Sequence, residues 1–221
     1  MCKLYTTYKH KINRSEKTKE IPSTENLDLI FLMDRSGSMR GSESDTIGGF
    51  NSFIKREMDK GLNTRVTTIL FDDQYEVLYK RKAIEDVDEL TEREYWVRGC
   101  TALMDAIGRT INTLDKEIDN KVMFVIMTDG LENASREFSK EHVRNLIRNH
   151  SWEFIYIGAN IDSYSEAGSI GIRRSRTANY KKSRKGFNDV YCSLNRAANH
   201  LRYNKSLDDS EWNEELKKYD D

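Results

Sequence analysis

Two uninterrupted apolar runs, each followed closely by an aspartate, constrain the fold of this 221-residue chain more than any other feature. The first run, residues 27–33, is wholly apolar from Leu29 onward and is followed by Asp34. The second run, residues 121–127, is followed shortly by Asp129. Strands that are apolar on both faces are typical of parallel sheets covered by helices on both sides. We therefore predict two buried parallel strands here.

Apolar residues at helical spacing occupy several segments between the predicted strands. In residues 44–60, for example, Ile47, Phe50 and Ile54 recur at intervals of three or four. Residues 75–81 follow a tight connection and are predicted to be the hairpin partner of the strand before them. The predicted order is strand 27–33, helix 44–60, strands 65–71 and 75–81, helix 103–118, strand 121–127, helix 139–149 and strand 152–157. This alternation predicts an α/β fold with an open, mostly parallel sheet and helices on both faces.

The composition is that of a folded protein without a strong overall charge. Hydrophobic residues make up 37% of the chain and charged residues 33%, and the net charge is -1. Binding to nucleic acid or to an anionic membrane would therefore need a local patch. Cys2, Cys100 and Cys192 are far apart and form no CxxC pair, so neither a disulfide framework nor a zinc ribbon is supported.

The cellular location is predicted from the absence of targeting patterns. Residues 1–25 are polar and lysine-rich without an apolar h-region, which excludes an ordinary signal peptide. No run approaches the roughly 20 apolar residues that a membrane span requires. Free thiols fit a reducing compartment. We therefore predict a soluble cytoplasmic protein that does not contact the membrane.

The chain is predicted to have three parts: an N-terminal arm at residues 1–25, an α/β domain at residues 26–172 and a C-terminal extension at residues 173–221. The extension contains ten lysines and arginines and a single acid up to residue 205, and it is acidic afterwards. We expect it to be partly helical and either packed on the domain or appended to it. Its basic part, residues 173–205, is explained by a solvated helix face paired with the acidic tail, or by contact with nucleic acid or an acidic protein.

Oxygen-bearing side chains gather where the predicted strands end. Asp34, Ser36 and Ser38 alternate after the first strand, and residues two apart in an extended loop project to the same side. Thr101 precedes the helix 103–118, and Asp129 follows the second apolar strand. Sites in open α/β sheets form in the crevice at the carboxyl ends of strands, so these side chains are predicted to converge.

The convergent groups would be two carboxylates and three hydroxyls, and water can complete their set. Such a set suits an octahedral ion such as Mg²⁺ or Mn²⁺. Two carboxylates that do not both bind the ion closely leave it incompletely neutralised, so it readily accepts a further carboxylate from outside. The sequence therefore predicts a metal site that is also a docking point for an acidic ligand group.

Each of these features also has a purely structural explanation. Residues 34–38 can be an ordinary turn in which serine and aspartate act as caps. Asp105 either supports the Thr101 loop or is a solvated acid in the first turn of its helix. Asp72 lies at a strand end near the crevice, where a hairpin turn is the simpler explanation. Glu132 follows the Asp129 motif, and it can line the rim of the site or belong to the connecting loop.

Three motifs in this order resemble a known family. The sequences Asp-Arg-Ser-Gly-Ser at residues 34–38, Gly-Cys-Thr at residues 99–101 and Met-Thr-Asp-Gly at residues 127–130 are similar to the metal-ion-dependent adhesion site of von Willebrand factor A domains. The resemblance covers roughly residues 27–172. It implies a Rossmann-like sheet with residues 75–81 as its antiparallel edge strand. Because the chain has no secretion signal, it resembles the intracellular prokaryotic and phage-type members.

The resemblance also implies a role for each donor. Ser36 and Ser38 would bind the metal directly, whereas Asp34 and Asp129 would act largely through coordinated water. Thr101 would bind directly in a high-affinity state and less closely in the resting state. The remaining coordination position would be left for the acid of a ligand.

A metal-dependent phosphatase is the enzymatic alternative, since haloacid-dehalogenase-type enzymes also place an aspartate at the end of the first parallel strand. They need a second carboxylate two residues later as general acid, and this chain has Ser36 there. The chain contains no Walker A, GxGxxG or GxSxG motif. We therefore predict a non-catalytic module that binds Mg²⁺ or Mn²⁺ and a protein partner presenting a carboxylate. Nucleic-acid binding through residues 173–205 is the alternative.

Overall fold

The computed structural model describes residues 26–208 and 211–220, and its centre is a six-stranded sheet. The strands are β1 (Leu27–Asp34), β2 (Thr64–Phe71), β3 (Tyr75–Ala83), β4 (Lys121–Thr128), β5 (Glu153–Gly158) and β6 (Thr177–Asn179). Their order across the sheet is β3-β2-β1-β4-β5-β6. Neighbouring strands run parallel except β3, which pairs antiparallel with β2 at one edge.

Helices cover both faces of this sheet. They are α1 (Glu43–Met58), α2 (Leu103–Leu114), α3 (Lys140–Asn149), α4 (Ser163–Ser169) and α5 (Arg184–Arg202). Helices α1 and α5 share one hydrophobic core, which includes Phe50 and Tyr191. Helices α2 and α3 contribute Ile107 and Val143 to the core on the opposite face. The predicted α/β class, the antiparallel edge strand and the helices on both faces are confirmed.

Strand β1 shows why an apolar run of this kind becomes a central strand. Leu29, Phe31 and Met33 belong to the core beneath α1, whereas Ile30 and Leu32 belong to the core beneath α2. Each large apolar side chain that is fully buried contributes roughly 1.5–3 kcal/mol of transfer free energy. With both faces covered, the polar residues of the strand can gather only at its end.

The order in which strands are added to the sheet reverses between β1 and β4. Strand β2 follows β1 on one side, and β4 lies on the other side. In open α/β sheets the crevice at such a switch point is the usual place for a ligand. Strands β1 and β4 are in register up to Met33 opposite Met127, so Asp34 lies beside the end of β4.

Residues after 172 contribute to the same sheet and core. Strand β6 pairs parallel with β5, and α5 packs against α1 with Phe187 and Leu194 buried between the helix and the sheet. Trp212 is fully buried farther along the chain. The arm predicted at residues 1–25 lies outside the described residues.

Candidate metal centre

Asp34 stands at the carboxyl end of β1 and is completely buried. Its Oδ1 accepts a hydrogen bond from the backbone N–H of Ser36 at 2.6 Å, and its Oδ2 accepts one from the Thr128 hydroxyl at 2.6 Å. Burial raises the pKa of the Asp34 carboxyl to about 6, although the hydrogen bonds from Thr128 and Ser36 act in the opposite direction. The carboxylate is therefore fixed between β1 and β4, where a neighbouring cation would favour its charged form.

Three hydroxyl groups surround one point beside Gly130. The hydroxyl oxygens of Ser36 and Ser38 lie 2.9 Å apart. A methyl group added to Gly130 would lie 2.8 Å from Thr101 Oγ1, 3.0 Å from Ser38 Oγ and 3.6 Å from Ser36 Oγ. Glycine is required here because any side chain would occupy the space that these three hydroxyls face. The loops after β1 and before α2 thus bring their hydroxyls together.

Asp129 completes the cluster from the end of β4. Its side chain is 1% exposed, and among the described residues no donor other than Lys182 reaches its carboxylate. The Nζ of Lys182 lies 2.5 Å from Asp129 Oδ2 as an ion pair. Burying a carboxylate that has few hydrogen-bond donors costs free energy, and a nearby cation usually compensates its charge. Asp129 is therefore the group in this crevice that most needs a positive partner.

The loop that carries Thr101 is fastened by its neighbours. The Thr101 N–H donates to Asn133 Oδ1 at 2.9 Å, and the carbonyl oxygen of Thr101 accepts from the N–H groups of Asn133 and Ala134. The next residue, Ala102, donates its N–H to the carbonyl oxygen of Asp72 at 2.9 Å. These bonds hold the Thr101 hydroxyl in place with little freedom of its own.

Asp72 connects three loops around the crevice. Its buried carboxylate pairs with Arg35 at 3.2 Å and with Arg98 at 2.6 Å, and it also accepts the N–H of Gln74 at 2.6 Å. The hydrogen bond to Gln74 shapes the hairpin turn, while the two arginines belong to the loops that bear the serines and Thr101. Asp72 therefore both makes the turn and braces the site.

Asp105 and Glu132 organise the loop that follows β4. Asp105 accepts backbone N–H groups from residues 136–138, each at 2.9 Å. Although burial favours the neutral acid, these N–H groups prevail and lower the pKa of Asp105. Glu132 accepts the N–H of Met104 at 2.9 Å, at the beginning of α2, and the N–H of Ser135 at 2.7 Å. Both carboxylates thus hold the segments on either side of Thr101.

The structure brings together the five predicted donors, Asp34, Ser36, Ser38, Thr101 and Asp129, and places Asp72, Asp105 and Glu132 in the loops that support them. All five offer oxygen atoms, which hard cations such as Mg²⁺ prefer. In residues 26–208 and 211–220, no three histidine, cysteine or acidic side chains are grouped to hold a metal. Three of the five predicted donors, Ser36, Ser38 and Thr101, are hydroxyls.

Lys182 was not predicted from the sequence to belong to the site, whereas Asn133 follows the Asp129 motif and was a candidate for its rim. Lys182 lies in the turn between β6 and α5 and reaches the cluster only because β6 is added beside β5. No spacing pattern distinguishes it from Lys181, so its position could not be read from the sequence. Asn133 carried a weaker signal, since it follows Asp129 closely in a polar loop.

Comparison with known proteins gives the family. A sequence model of the von Willebrand factor type A domain matches residues 28–191. No curated protein sequence matches the chain. Solved structures with the same fold include proximal thread matrix protein 1 from the mussel byssus, with a TM-score of 0.61 and 18% identity. That match covers 80% of this chain and 47% of the mussel protein, so the chain spans about half its length. Another structure of the mussel protein has a zinc-occupied metal-ion-dependent adhesion site.

Two bacterial pilus proteins share the fold as well. The von Willebrand factor domain of a type V pilus tip protein from Porphyromonas gingivalis has a TM-score of 0.61 and 11% identity, covering 79% of this chain and 97% of that chain. A mutant of the PilB minor pilin from Streptococcus sanguinis has a TM-score of 0.65 and 12% identity, covering 86% and 65%. The predicted cytoplasmic location and the prokaryotic or phage type stay predictions, because these neighbours come from diverse settings. None of the described helices has the length and apolarity of a membrane span.

The family match covers well over half of the chain, and it includes every loop that contributes to the oxygen cluster. The sheet order and the position of the site at the switch point agree with this assignment. The chain therefore belongs to the von Willebrand factor type A domain family.

Proposed function

We propose that this domain is a divalent-metal-dependent protein-binding module. Its metal would be held by Asp34, Ser36, Ser38, Thr101 and Asp129. The observation that carries the proposal is the meeting of three hydroxyls at one point beside Asp129, a buried carboxylate that, among the described residues, only the Lys182 ammonium reaches. Domains of this family are known as protein-interaction modules, which agrees with the proposal.

Mg²⁺ or Mn²⁺ is the proposed metal. The donors are hydroxyl and carboxylate oxygens, and water can complete an octahedron around a small hard ion. The mussel neighbour carries zinc at its site, so zinc belongs in any direct comparison of affinities. Calcium accepts more ligands at longer distances and serves as the contrast for ion size.

The proposed partner is a protein that presents a carboxylate to the metal. Two carboxylates balance the charge of a divalent ion only when both act as close ligands, and Asp34 is already engaged by Ser36 and Thr128. Leu131 follows Gly130 directly and is 55% exposed, so an apolar contact lies next to the cluster. A carboxylate beside an apolar side chain on the partner would complement both features.

We propose that the site binds without catalysing a reaction. Asp34 is buried, and both of its oxygens are hydrogen-bonded, which is unsuitable for a nucleophile. Ser36 takes the place where a phosphatase needs a carboxyl group as general acid. Metal-dependent hydrolysis of a generic phosphate ester that Asp34→Asn abolishes would contradict this part of the proposal.

Nucleic-acid binding through residues 173–205 has less support. Five of the ten cations in this segment pair with acidic groups of the described chain, namely Arg173, Arg176, Lys182, Arg196 and Arg202. Some of these partners come from the acidic tail, as when Asp208 binds both Arg173 and Arg176. Cations that are already paired release few counterions on a polyanion, so the segment is a poor electrostatic patch.

Metal binding is tested by calorimetric titration of the native chain with Mg²⁺, Mn²⁺, Zn²⁺ and Ca²⁺. We expect one site for Mg²⁺ and Mn²⁺, and at least about tenfold weaker binding after Ser36→Ala or Asp34→Ala. Asp119→Ala is the matched control, because Asp119 is an exposed acid before β4, at the opposite edge of the sheet. Absence of binding, or equal binding by Ser36→Ala and the native chain, would overturn the proposed site.

Partner binding is tested by affinity capture with the native domain and with Ser36→Ala, each in Mg²⁺ and in chelator. We expect specific partners only with the native domain in Mg²⁺. A synthetic peptide from the captured protein, with its acidic residue changed to the corresponding amide, should then lose binding. Capture that is indifferent to Mg²⁺ and to Ser36→Ala would contradict a metal-dependent module.

A further inference from the structure

Lys182 places a positive charge inside the oxygen cluster. Its Nζ lies 2.5 Å from Asp129 Oδ2 and donates a hydrogen bond to the backbone carbonyl oxygen of Ser38 at 2.6 Å. Both partners belong to the loops that carry the proposed ligands. The ammonium therefore bridges the loop after β1 and the loop after β4, which a bound metal would also bridge.

The backbone around Lys182 is held tightly, so this contact is built into the fold. Tyr180 donates its N–H to the carbonyl oxygen of Gly158 at 2.9 Å and packs its buried ring edge-on against Phe187. A methyl group added to Gly186 would lie 2.0 Å from the carbonyl oxygen of Lys181, so only glycine allows this close turn into α5. The turn delivers the Lys182 side chain to Asp129 from a fixed starting point.

Charge balance decides what this ammonium does. Asp129 is buried, and no other donor of the described residues reaches its carboxylate, so Lys182 supplies the compensation that the carboxylate requires. A divalent ion at the same carboxylate would repel an ammonium held at contact distance. The two cations therefore compete for the same negative charge.

We infer that Lys182 is a tethered cation that competes with the divalent metal for Asp129 and must withdraw when the metal binds. The inference rests on the proposed metal site and adds a regulator of its affinity. The Lys182 side chain can withdraw because it is 21% exposed and its ammonium is carried by a flexible four-carbon chain that can turn toward solvent. Metal binding then includes the loss of one ion pair.

The competing possibility is that Lys182 stays in place beside the metal and only adds to the positive potential of the site. In that case its removal would change metal affinity no more than the removal of another nearby lysine. Lys181 provides this comparison, because it is the preceding residue and its side chain is exposed. Lys181→Met and Lys182→Met change the net charge equally and differ in the contact with Asp129.

The first experiment measures Mg²⁺ and Mn²⁺ affinities of the native chain, Lys182→Met and Lys181→Met by calorimetry. An ammonium that occupies the carboxylate nine-tenths of the time lowers the apparent affinity about tenfold. We therefore expect at least about tenfold tighter binding by Lys182→Met and less than about threefold change by Lys181→Met. Equal affinities of Lys182→Met and the native chain would overturn the inference and leave the metal site standing.

Failure of the metal site itself has a different signature. If neither the native chain nor Lys182→Met binds Mg²⁺ or Mn²⁺, both the proposed site and the inference are overturned. If only Lys182→Met binds the metal, the competition is supported, whereas the proposed metal-dependent function of the native chain is overturned. Asp34→Ala in the Lys182→Met background should abolish the gained binding, which ties the gain to this site.

A second experiment needs no substitution and covers the case in which Lys182→Met does not fold. The ¹⁵N–¹H resonance of the Lys182 ammonium is recorded in the native chain, first in chelator and then in saturating Mg²⁺. We expect a resonance protected from solvent exchange in chelator and its loss in Mg²⁺. An unprotected ammonium in chelator, or a protected one that Mg²⁺ leaves unchanged, would overturn the inference.

Discussion

Two buried ion pairs lie at opposite ends of the strands, and they differ in how many partners the buried carboxylate has. At the amino ends of the strands, Glu57 pairs with Arg202 at 3.5 Å, and both side chains are completely buried. Arg202 also donates to the Thr64 hydroxyl at 2.5 Å, and Lys60 binds the other Glu57 oxygen. At the carboxyl ends of the strands, Asp129 pairs with Lys182, and no other donor of the described residues reaches its carboxylate.

This difference indicates that the Glu57–Arg202 pair is structural and that the cation beside Asp129 is exchangeable. The Glu57–Arg202 pair is closed because both of its side chains are completely buried and Arg202 is also held by Thr64, so another cation could not replace Arg202 without dismantling the contact between α1 and α5. The Asp129–Lys182 pair is open, because the lysine is partly exposed and three hydroxyls face the adjoining space. A carboxylate left in this condition is suited to exchange one cation for another.

The largest effect is expected at the closed pair. Arg202→Met would remove the fully buried counter-charge of Glu57 and leave it only the partly exposed Lys60, which costs up to about 3–5 kcal/mol of unfolding free energy. Urea denaturation followed by circular dichroism measures this loss. The folded fraction should bind Mg²⁺ with native affinity, because the pair is remote from the oxygen cluster. A loss below about 1 kcal/mol would contradict the structural role of the Glu57–Arg202 pair.

The next largest loss of unfolding free energy is expected when the structural carboxylate of Asp105, which holds the loop after β4, is replaced. Asp105→Asn weakens three hydrogen bonds to backbone N–H groups of residues 136–138, for a loss of about 1.5–3 kcal/mol at pH 7. The folded state lowers the pKa of Asp105 below its ordinary value of 3.8, so this stabilisation is complete above pH 3.8. It disappears as the pH falls through the folded pKa. Stability curves of the native chain and the variant should therefore converge in acid, and a constant gap would contradict the role.

Gly130→Ala should affect metal binding more than stability. The new methyl group would lie 2.8 Å from Thr101 Oγ1 and 3.0 Å from Ser38 Oγ, so it would push the hydroxyls apart. We expect a loss of about 1–2 kcal/mol in unfolding free energy and at least about tenfold weaker Mg²⁺ binding. Gly168→Ala is the control, because Gly168 lies in α4 with nothing within 4 Å of an added methyl group. Native Mg²⁺ affinity in Gly130→Ala would contradict the convergence of the hydroxyls.

The smallest effect on stability is expected at the open pair. Lys182→Met should cost less in chelator than Arg202→Met, because the Lys182 side chain is partly exposed and water can approach Asp129 from that side once the ammonium is gone. In Mg²⁺ the variant should be at least as stable as the native chain, since a bound metal stabilises the folded state by mass action. Thermal denaturation in both buffers measures the difference. A loss as large as that of Arg202→Met would show that the pair is structural.

The sequence predicted those parts of the molecule that follow from local pattern. Continuous apolar runs such as residues 27–33 predicted central strands, because both faces of the strand are buried. The motif of Asp34, Ser36 and Ser38 predicted oxygen donors at the carboxyl end of β1, where sites form in open α/β sheets. The extended loop that the prediction assumed is wrong, because Gly37–Met39 forms a 3-10 helix. These predictions need only residue type and spacing.

Features that depend on long-range packing escaped prediction. Strand β6 has three residues, too few for a pattern, and its addition beside β5 is what carries Lys182 to Asp129. The sequence placed Asp72 near the crevice as a candidate for the rim, with a hairpin turn as the simpler explanation, but it did not predict that the Asp72 carboxylate meets Arg35 and Arg98 from two other loops. The helix predicted at residues 103–118 ends at Leu114, although Ile118 still packs against the core beyond the helix.

Crystals of the native domain soaked in Mn²⁺, with data collected at the manganese absorption edge, test the central claim most directly. We predict one anomalous peak between the hydroxyls of Ser36, Ser38 and Thr101, with Lys182 Nζ withdrawn from Asp129 toward solvent. An anomalous peak elsewhere, or no peak at saturating Mn²⁺, would contradict the metal site. A peak at the predicted position with Lys182 still in contact with Asp129 would keep the site and reject the competition.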